Sequence, residues 1–283
     1  MRDLSGKVAV VTGGASGIGR ALAERFAHEG MKIVLADVEE KALADTRDAL
    51  AASGAQVLAV RTDVSQADQV DELARRTFET FGTAHVICNN AGVSVAGPAW
   101  QPSEADYRWV LGVNLWGVIH GIRAFVPRLV AQGEGHVVNT ASIAGLISAP
   151  GMGPYCATKH AVVALSECLF HDLAIATGGK VKVSVLCPAW VNTRIAESDR
   201  NRPAAAPRRE RERTEHEQRM ESLVHAAVAN GIPPHVVADK VLRAVVEERF
   251  WILTHGKTKK GVEQRMRGIL DDAAAPTNSA VPE

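Results

Sequence analysis

The chain has 283 residues, of which 46% are hydrophobic, and its 32 basic and 32 acidic side chains leave no formal net charge at neutral pH. This balance is typical of a globular protein and excludes the basic excess that a general nucleic-acid or anionic-membrane surface requires. No stretch approaches the roughly 18 consecutive apolar residues of a membrane span, and the N-terminus lacks a signal-peptide pattern, so we expect a cytoplasmic protein that binds neither membrane nor nucleic acid.

Short runs rich in valine, isoleucine and alanine recur along the chain, each bounded by turn residues. They are too short for helices and are apolar on both faces, as parallel strands covered on both sides must be. Longer segments with the helical spacing of apolar residues lie between them. This alternation predicts an α/β fold with a single Rossmann-type, doubly wound parallel sheet of about seven strands and helices on both faces. The predicted strands are residues 8–12, 32–37, 56–61, 86–89, 136–140, 182–187 and 250–253.

A glycine-rich turn follows the first predicted strand, and a helix is predicted to begin near Arg20 directly after it. Because such a turn has little side-chain bulk, its backbone N–H groups can approach a pyrophosphate, and the helix N-terminus adds positive potential. The glycines fall as G-x-x-x-G-x-G, which departs from the G-x-G-x-x-G fingerprint, so simple packing is the alternative reading. The residues predicted to form this phosphate cradle are Gly13, Ser16, Gly17 and Ile18.

The second predicted strand ends at Asp37, about 20 residues beyond the glycine turn, where a carboxylate can accept hydrogen bonds from the adenosine ribose. Its alternative role is to cap a helix predicted over residues 39–52. The carboxylate would repel a 2′-phosphate, and neither Ser16 nor Val38 supplies an arginine to receive one. The sequence therefore predicts NAD as cofactor and makes NADP the less favourable one.

Tyr155 and Lys159 stand four residues apart, just after a Gly-Pro pair, and are predicted to share one face of a helix. An adjacent ammonium group favours the phenolate and lowers the pKa of tyrosine from about 10. The alternative is an ordinary pair on a solvated helix face. Ser142 follows another predicted strand, where its hydroxyl can reach the same crevice, although a lone serine there is usually a turn residue.

One domain is predicted over residues 1–270, because the strand-and-helix unit repeats throughout it. Residues 201–219 depart from this rhythm, since they are dominated by Arg, Glu, Ala and Pro with opposite charges at i, i+4 spacing. This segment is either a solvated helix or part of a lid inserted at about residues 194–230. The small and polar tail at residues 271–283 is predicted to be disordered.

The four cysteines are scattered without C-x-x-C spacing, and most of them lie in apolar runs. Such positions are typical of small buried hydrophobic side chains. The histidines also show no ligand spacing, so the sequence predicts neither a disulfide framework nor a metal site. The cysteines are Cys88, Cys156, Cys168 and Cys187.

Several motifs, taken in order between about residues 6 and 253, resemble the short-chain dehydrogenase/reductase family. The chain departs from many members at Ala189, where they carry glycine. The resemblance implies that Tyr155 is the general acid/base, that Ser142 orients and polarises the reacting oxygen, and that Lys159 binds the nicotinamide ribose. The matching motifs are Thr12-Gly13 with Gly17-Ile18-Gly19, Asp63-Val64, Asn89-Asn90-Ala91-Gly92, Asn114, Ser142, Tyr155-x-x-x-Lys159 and Pro188-Ala189-Trp190-Val191-Asn192-Thr193.

The same resemblance implies that Asn114 lies in a helix and holds a water molecule that connects Lys159 to solvent. It also implies a homo-oligomer, either a tetramer or a dimer. The remaining implied cofactor contacts are Asp63 and Val64 at the adenine, Asn90 and Gly92 at the ribose, and Pro188, Val191 and Thr193 around the nicotinamide.

These residues together imply an NAD-dependent enzyme that transfers hydride between a small-molecule secondary alcohol or ketone and the nicotinamide. Two alternatives stay open. A protein of the same fold can bind the cofactor as a sensor without catalysis, and a dehydratase or epimerase can use NAD without net redox change.

The pocket walls are predicted to come from three segments near residues 94–100, 142–155 and 190–200, whose side chains suit a hydrophobic or aromatic alcohol. Four short stretches, residues 112–115, 125–128, 153–155 and 195–197, also resemble bacterial dehydrogenases that oxidise the benzylic carbon of lignin-derived aryl ethers. Alternatively, Arg194, Arg200 or Arg202 selects an acidic group. The predicted wall residues are Val95, Trp100, Ile143, Leu146, Ile147, Met152, Trp190 and Ile195.

Overall fold

Seven parallel strands form one sheet in the computed structural model, which describes residues 1, 3–204, 206–207, 214–273 and 275–276. Their order across the sheet is 3-2-1-4-5-6-7 in chain numbering, so the predicted doubly wound sheet is confirmed. Each predicted strand is present with its ends within one residue. The strands are β1 (Val8–Thr12), β2 (Lys32–Asp37), β3 (Val57–Arg61), β4 (Val86–Asn89), β5 (Gly135–Thr140), β6 (Val181–Cys187) and β7 (Trp251–Leu253).

Helices follow the strands and cover both faces of the sheet. The helix expected near Arg20 begins earlier, at Gly17, because the end of the glycine-rich turn already forms its first turn. A π-helical turn over Gly112–Trp116 joins two helices, and short 3₁₀ turns span Ile143–Gly145 and Ile195–Asn201. The helices are α1 (Gly17–His28), α2 (Glu40–Ala52), α3 (Ala67–Phe81), α4 (Glu104–Leu111), α5 (Gly117–Gln132), α6 (Gly153–Thr177), α7 (Glu215–Ala229), α8 (Pro234–Glu247) and α9 (Thr258–Leu270).

Alternate residues of the strands belong to two apolar layers, one on each face of the sheet. Ala9 and Val11 of β1 pack with α1 and α8, whereas Val8 and Val10 belong to the layer formed with α3, α5 and α6. Burial on both faces is what a parallel sheet between helices requires. The two edge strands are the exceptions, because the first three residues of β3 are only half-buried and Trp251 of β7 is exposed. The expectation that every strand is covered on both faces is therefore wrong for β3 and β7.

The chain reverses its winding direction at β1, which is hydrogen-bonded to β2 on one side and to β4 on the other. Such a switch point opens a crevice at the carboxyl ends of the strands. Thr12 joins the end of β1 to the end of β4 at this crevice: its Oγ1 donates to Cys88 O at 3.4 Å and accepts from the N–H groups of Asn90 and Ala91 at 2.9 and 3.1 Å.

Two helical stretches in the described part of the chain, Glu104–Gln132 and Gly153–Thr177, have the length and mean hydropathy of a membrane span. The α5 part of the first stretch and part of α6 pack on the sheet, and core helices of globular proteins commonly meet the same criteria. These two stretches therefore carry no argument for membrane insertion.

Parts of two sequence predictions fall on residues that the structure does not describe. In the predicted lid, residue 205 and residues 208–213 lie outside the described residues. In the predicted tail, the same holds for residue 274 and residues 277–283.

All four cysteines are free thiols, and Cys168 alone among them is exposed.

Candidate active site

A cavity of about 970 Å³ opens at the carboxyl ends of the strands, on both sides of the switch point. Asn114 is the single predicted site residue that does not line it. The residues that the structure brings together there are Gly13, Ser16, Gly17, Ile18, Asp37, Asp63, Val64, Asn90, Gly92, Ser142, Tyr155, Lys159, Pro188, Val191 and Thr193.

The glycine turn brings backbone against backbone at one end of the cavity. A Cβ atom at Gly19 would lie 2.0 Å from Gly13 O, and one at Gly13 would lie 2.9 Å from Ala91 Cα, so neither position has room for a side chain. Gly17 has φ of +52° and faces Thr193. The turn therefore presents backbone and the N-terminus of α1 to the cavity, which fits the pyrophosphate of a dinucleotide.

Asp37 closes the same end of the cavity, and its carboxylate is already oriented by backbone donors. Oδ2 accepts from Ala15 N–H at 3.0 Å, and Oδ1 accepts from Glu39 N–H at 3.1 Å. Burial raises the pKa of Asp37, and these hydrogen bonds oppose that shift. The alternative role as helix cap is wrong, since the cap position of α2 is Glu39.

Ser142 follows β5 directly and is almost fully buried at the centre of the cavity wall. Its Oγ donates to Pro188 O at 3.3 Å and accepts from Ala144 N–H at 3.1 Å. These two contacts connect the end of β5 to the loop after β6. The hydroxyl is thereby held beside Tyr155 rather than turned into solvent.

Tyr155 and Lys159 share one face of α6, with Lys159 Nζ 5.5 Å from the centre of the Tyr155 ring. Lys159 is buried and donates from Nζ to Thr140 O at 2.8 Å. Burial lowers the pKa of Lys159 to about 8. Burial also raises the pKa of Tyr155 to about 12, and a hydrogen bond with Ser142 only partly opposes this. The expected net lowering of the tyrosine pKa is therefore wrong, because desolvation outweighs the hydrogen bond with Ser142.

Asn114 lies in the π-helical turn between α4 and α5 and is fully buried behind the cavity. Its Oδ1 accepts from Val93 N–H at 2.8 Å, while Nδ2 donates to Val93 O at 2.9 Å and to Thr158 Oγ1 at 3.2 Å. The side chain thus ties the loop after β4 to α6. A Cβ at Gly92 would meet Asn114 Oδ1 at 3.5 Å and Lys159 Nζ at 3.7 Å, so both residues flank Gly92.

The predicted apolar wall is correct in part. Three predicted wall residues do not line the cavity. Trp100 is 84% exposed in a proline-flanked surface turn, and Leu146 packs in the core. Val95 does not line the cavity either. The wall also contains residues that the sequence did not indicate. They follow β4, lie on α4, the π-helical turn or α7, or come after β7. The correctly predicted wall residues are Ile143, Ile147, Met152, Trp190 and Ile195, and the additional ones include Val93, Trp109, Val113, Val224, Val228, His255, Lys257, Thr258 and Gly261.

Arginines of the segment after β6 are held by acidic side chains of other elements. Arg200 Nε donates to Glu39 Oε1 at 2.9 Å, which connects this segment to the start of α2. Arg202 reaches α4, where it donates to Asp106 Oδ1 at 2.6 Å with both side chains 9% exposed. Arg194 is paired with Glu197. Each guanidinium group proposed to select an acidic substrate therefore already has a carboxylate partner within the protein.

In the described part of the chain, no group of three or more His, Cys, Asp or Glu side chains is arranged to hold a metal ion. The polar groups around the cavity are instead a serine hydroxyl, a phenol, an ammonium group and carboxylates. Proton transfer and dinucleotide binding are the chemistry that this set of groups supports.

Comparison with known proteins agrees with this geometry. The family model for short chain dehydrogenases matches residues 7–204 of the chain. The chain belongs to the short-chain dehydrogenase family. The predicted resemblance is confirmed, and this dehydrogenase is an oxidoreductase of that family.

One solved structure is similar over the whole length: a short chain dehydrogenase/reductase from Burkholderia phymatum in complex with NAD. It is 48% identical with a TM-score of 0.95, and the match covers 100% of this chain and 99% of that one. A "CLA biosynthesis dehydrogenase/reductase" from Lactiplantibacillus plantarum is 33% identical over 97% of this dehydrogenase and 96% of the relative. A "C alpha-dehydrogenase" from Sphingobium sp. strain SYK-6 is 33% identical, with 97% and 88% covered.

Proposed function

We propose that this dehydrogenase transfers hydride between NAD and a hydrophobic or aromatic secondary alcohol, with Tyr155 as the general acid/base. The observation that carries this proposal is the convergence of Ser142, Tyr155 and Lys159 on the cavity that also contains Asp37 and the glycine turn. A sensor that only binds a cofactor would need the turn and the carboxylate but not the other three side chains.

Cofactor binding is assigned to backbone and carboxylate groups. The turn from Gly13 to Ile18 would hold the pyrophosphate, and Asp37 would accept from the ribose hydroxyls with its remaining lone pairs. A negative 2′-phosphate beside Asp37 would be repelled, which favours NAD over NADP. The NAD complex of the Burkholderia relative supports this choice. The other contacts would come from Asp63, Val64, Asn90, Gly92, Lys159, Pro188, Val191 and Thr193.

Residues of the chain bind the reacting oxygen and transfer the proton. When substrate binds, the Ser142 hydroxyl would turn its single proton from Pro188 O to the carbinol oxygen and hold that oxygen beside the Tyr155 hydroxyl. Tyr155 takes the hydroxyl proton as the carbonyl forms. Lys159 stabilises the phenolate through its charge, and Asn114 would hold a water molecule on the proton path behind it. When bound, the nicotinamide supplies the hydride acceptor for oxidation or the hydride donor for ketone reduction.

The class of substrate is proposed from the side chains that line the cavity. Ile143, Ile147, Met152 and Trp190 form apolar surface next to Ser142, which suits a hydrophobic or aromatic alcohol. The "C alpha-dehydrogenase" relative is consistent with a benzylic alcohol, whereas the "CLA biosynthesis" relative points to a different type of substrate. We also propose a cytoplasmic homo-oligomer, and a single domain in which about residues 194–230 form a lid over this cavity.

A turnover screen with matched active-site variants tests the proposal. Wild-type protein is expected to produce NADH from NAD and at least one aromatic or alicyclic secondary alcohol, and Tyr155→Phe should lower kcat by about 10²–10⁴-fold because the proton acceptor is lost. Tyr107→Phe, whose parent hydroxyl bonds Ala99 O at the surface, is the control. Turnover that Tyr155→Phe leaves unchanged would contradict the proposal. Substrate conversion without accumulating NADH would indicate a dehydratase or epimerase instead.

A further inference from the structure

The loop between β7 and α9 forms a wall of the cavity. His255 and Lys257 of this loop line the cavity together with Thr258 at the start of α9, although β7 lies at the edge of the sheet. Buried Thr254 anchors this loop, because its Oγ1 accepts from Ala189 N–H at 3.1 Å in the loop after β6. Pro188, next to Ala189, is the residue whose carbonyl receives the Ser142 hydroxyl. A short series of direct contacts therefore connects this wall to the reacting centre.

The hydrogen bond between Thr254 and His255 favours the tautomer of His255 that carries its proton on Nε2. Thr254 Oγ1 lies 2.7 Å from His255 Nδ1 and has a single proton to donate. Since Ala189 N–H already occupies one lone pair, donation to Nδ1 satisfies both groups and leaves the imidazole proton on Nε2. Burial and the charge of Lys240 lower the pKa of His255, so the neutral ring persists at neutral pH. His255 is then a fixed Nε2–H donor, for which the described residues provide no acceptor.

The charges around the cavity are separated. The acidic residues Asp37, Glu39 and Asp63 lie at the adenosine end, around the ends of β2 and β3. At the other end, Lys257 is an exposed cation, and no acidic group in the described ranges pairs with it. Arg61, Arg194 and Arg200 also line the cavity but are bound to glutamates, and Lys159 is buried against Thr140 O.

We propose that His255 and Lys257 bind a carboxylate of the substrate, so that the preferred substrate is a hydrophobic secondary alcohol bearing a carboxylate. This inference rests on the proposed function, which places the carbinol at Ser142 and Tyr155. The apolar wall formed by Ile143, Ile147 and Trp190 would hold the carbon skeleton. One ammonium group and one neutral N–H donor match the two oxygens and single charge of a carboxylate, whereas a doubly charged phosphate would require more cations.

Binding of a carboxylate probe tests the inference without requiring turnover. Calorimetry on the NAD-loaded protein would compare phenylbutyrate with its methyl ester, which has the same apolar body and no charge. The acid is expected to bind about tenfold more tightly, which corresponds to about 1.4 kcal/mol, because both the Lys257 ammonium group and the His255 N–H bind the carboxylate and neither gains as much from the ester. Equal affinity for acid and ester would overturn the proposal.

Three variants assign the preference to these side chains. Lys257→Met and His255→Leu should each remove most of the acid-over-ester ratio while leaving ester affinity within about twofold, and Lys257→Arg should retain the ratio. Lys259→Met removes a nearby exposed lysine that does not line the cavity, so it is the matched control. If Lys257→Met leaves the preference for acid over ester unchanged, or if Lys259→Met lowers it equally, the assignment of the carboxylate site to His255 and Lys257 is overturned.

Kinetics with paired alcohols separate this inference from the proposed function. In hydroxy acids and their methyl esters, the acid should have the lower KM with a similar kcat, since His255 and Lys257 act on binding rather than on proton transfer. If acid and ester are oxidised equally well, the carboxylate inference fails and the dehydrogenase function stands. If the acid binds more tightly but neither alcohol is oxidised, the carboxylate site stands and the alcohol dehydrogenase proposal fails.

Discussion

The two ends of the cavity are built from different kinds of contact. At the adenosine end, glycine backbone packs against Ala91, and backbone N–H groups orient the Asp37 carboxylate. Ionic side chains instead join elements that are far apart in sequence: Arg200 connects the segment after β6 to Glu39 at the adenosine end, and Arg202 connects it to Asp106 of α4. Backbone contacts allow almost no substitution, whereas side-chain pairs can be exchanged one at a time. The glycine turn is therefore the part of the cavity that tolerates the least change, and the substrate end, which depends on side chains, is the part that can vary in specificity.

The largest expected effect on this contrast comes from the glycine turn. Gly19→Ala places a Cβ at 2.0 Å from Gly13 O, and this backbone atom cannot move without opening the turn. We expect NAD affinity to fall by about 100-fold or more and the free energy of unfolding to fall by roughly 1–3 kcal/mol. Calorimetric titration and chemical denaturation would measure both. Gly268→Ala in α9, whose Cβ would meet nothing closer than 3.8 Å, is the control, and equal behaviour of the two variants would refute the rigid turn.

A smaller effect is expected from the carboxylate at the same end. Asp37→Asn keeps an oxygen acceptor for only one of the Ala15 and Glu39 N–H groups, and its amide NH2 faces the other. It also removes the negative charge, so the repulsion of a 2′-phosphate disappears. The ratio of NADP to NAD affinity should rise by about tenfold. Asp63→Asn also neutralises a cavity carboxylate and should leave the ratio unchanged. An unchanged ratio in Asp37→Asn would mean that another group excludes NADP.

The smallest effects are expected where side chains join the substrate end. Arg202→Met breaks the pair with Asp106 and the stacking on Trp109, at 4.5 Å from the ring centre. Because Ser103 still donates to Asp106, the loss should be about 1–3 kcal/mol of unfolding free energy, with a few-fold rise in substrate KM and unchanged NAD affinity. Arg108→Met, on an exposed pair in α4, should cost under about 1 kcal/mol. A larger effect on NAD than on substrate would reverse the assignment of the two ends.

The Asp106 pair also predicts a dependence on pH. Burial raises the pKa of this carboxyl, but hydrogen bonds from Ser103 and Arg202 outweigh it, so the net pKa is lowered. A carboxyl with a lowered pKa stabilises the fold above its unfolded pKa, near 4, and this contribution is lost as the pH falls through the folded pKa. Denaturation curves between about pH 6 and pH 3 should therefore show a smaller acid loss in Asp106→Asn than in wild type. Equal acid loss would exclude the pair as a source of stability.

The positions of residues at the adenosine end could be predicted from the sequence more fully than those at the substrate end. The strands and the glycine turn are local patterns, so their positions follow from short stretches such as residues 8–19. The spacing of Tyr155 and Lys159 likewise fixes one helix face. The pKa of Tyr155 is different, because its direction depends on desolvation by elements distant in sequence, and spacing alone gave the wrong direction.

The substrate end shows where sequence patterns are insufficient. His255 and Lys257 carry no motif, and they reach the cavity because Thr254 binds the loop after β6. Trp100 looks like a pocket residue by composition, but its turn places it in solvent. The arginines suggest an anion site until their partners on α2 and α4 are seen. Each of these outcomes depends on contacts between residues far apart in the chain.

The π-helical turn at Gly112–Trp116 lets one long helical rod serve two different partners. An extra residue in a turn changes the rotational phase of everything beyond it by about 100°. Before the turn, Trp109 and Val110 face the segment after β6. After it, Phe125 and Leu129 face the sheet. Shortening the rod by one residue there would restore regular α-helical geometry and would turn one of these two surfaces away from its partner.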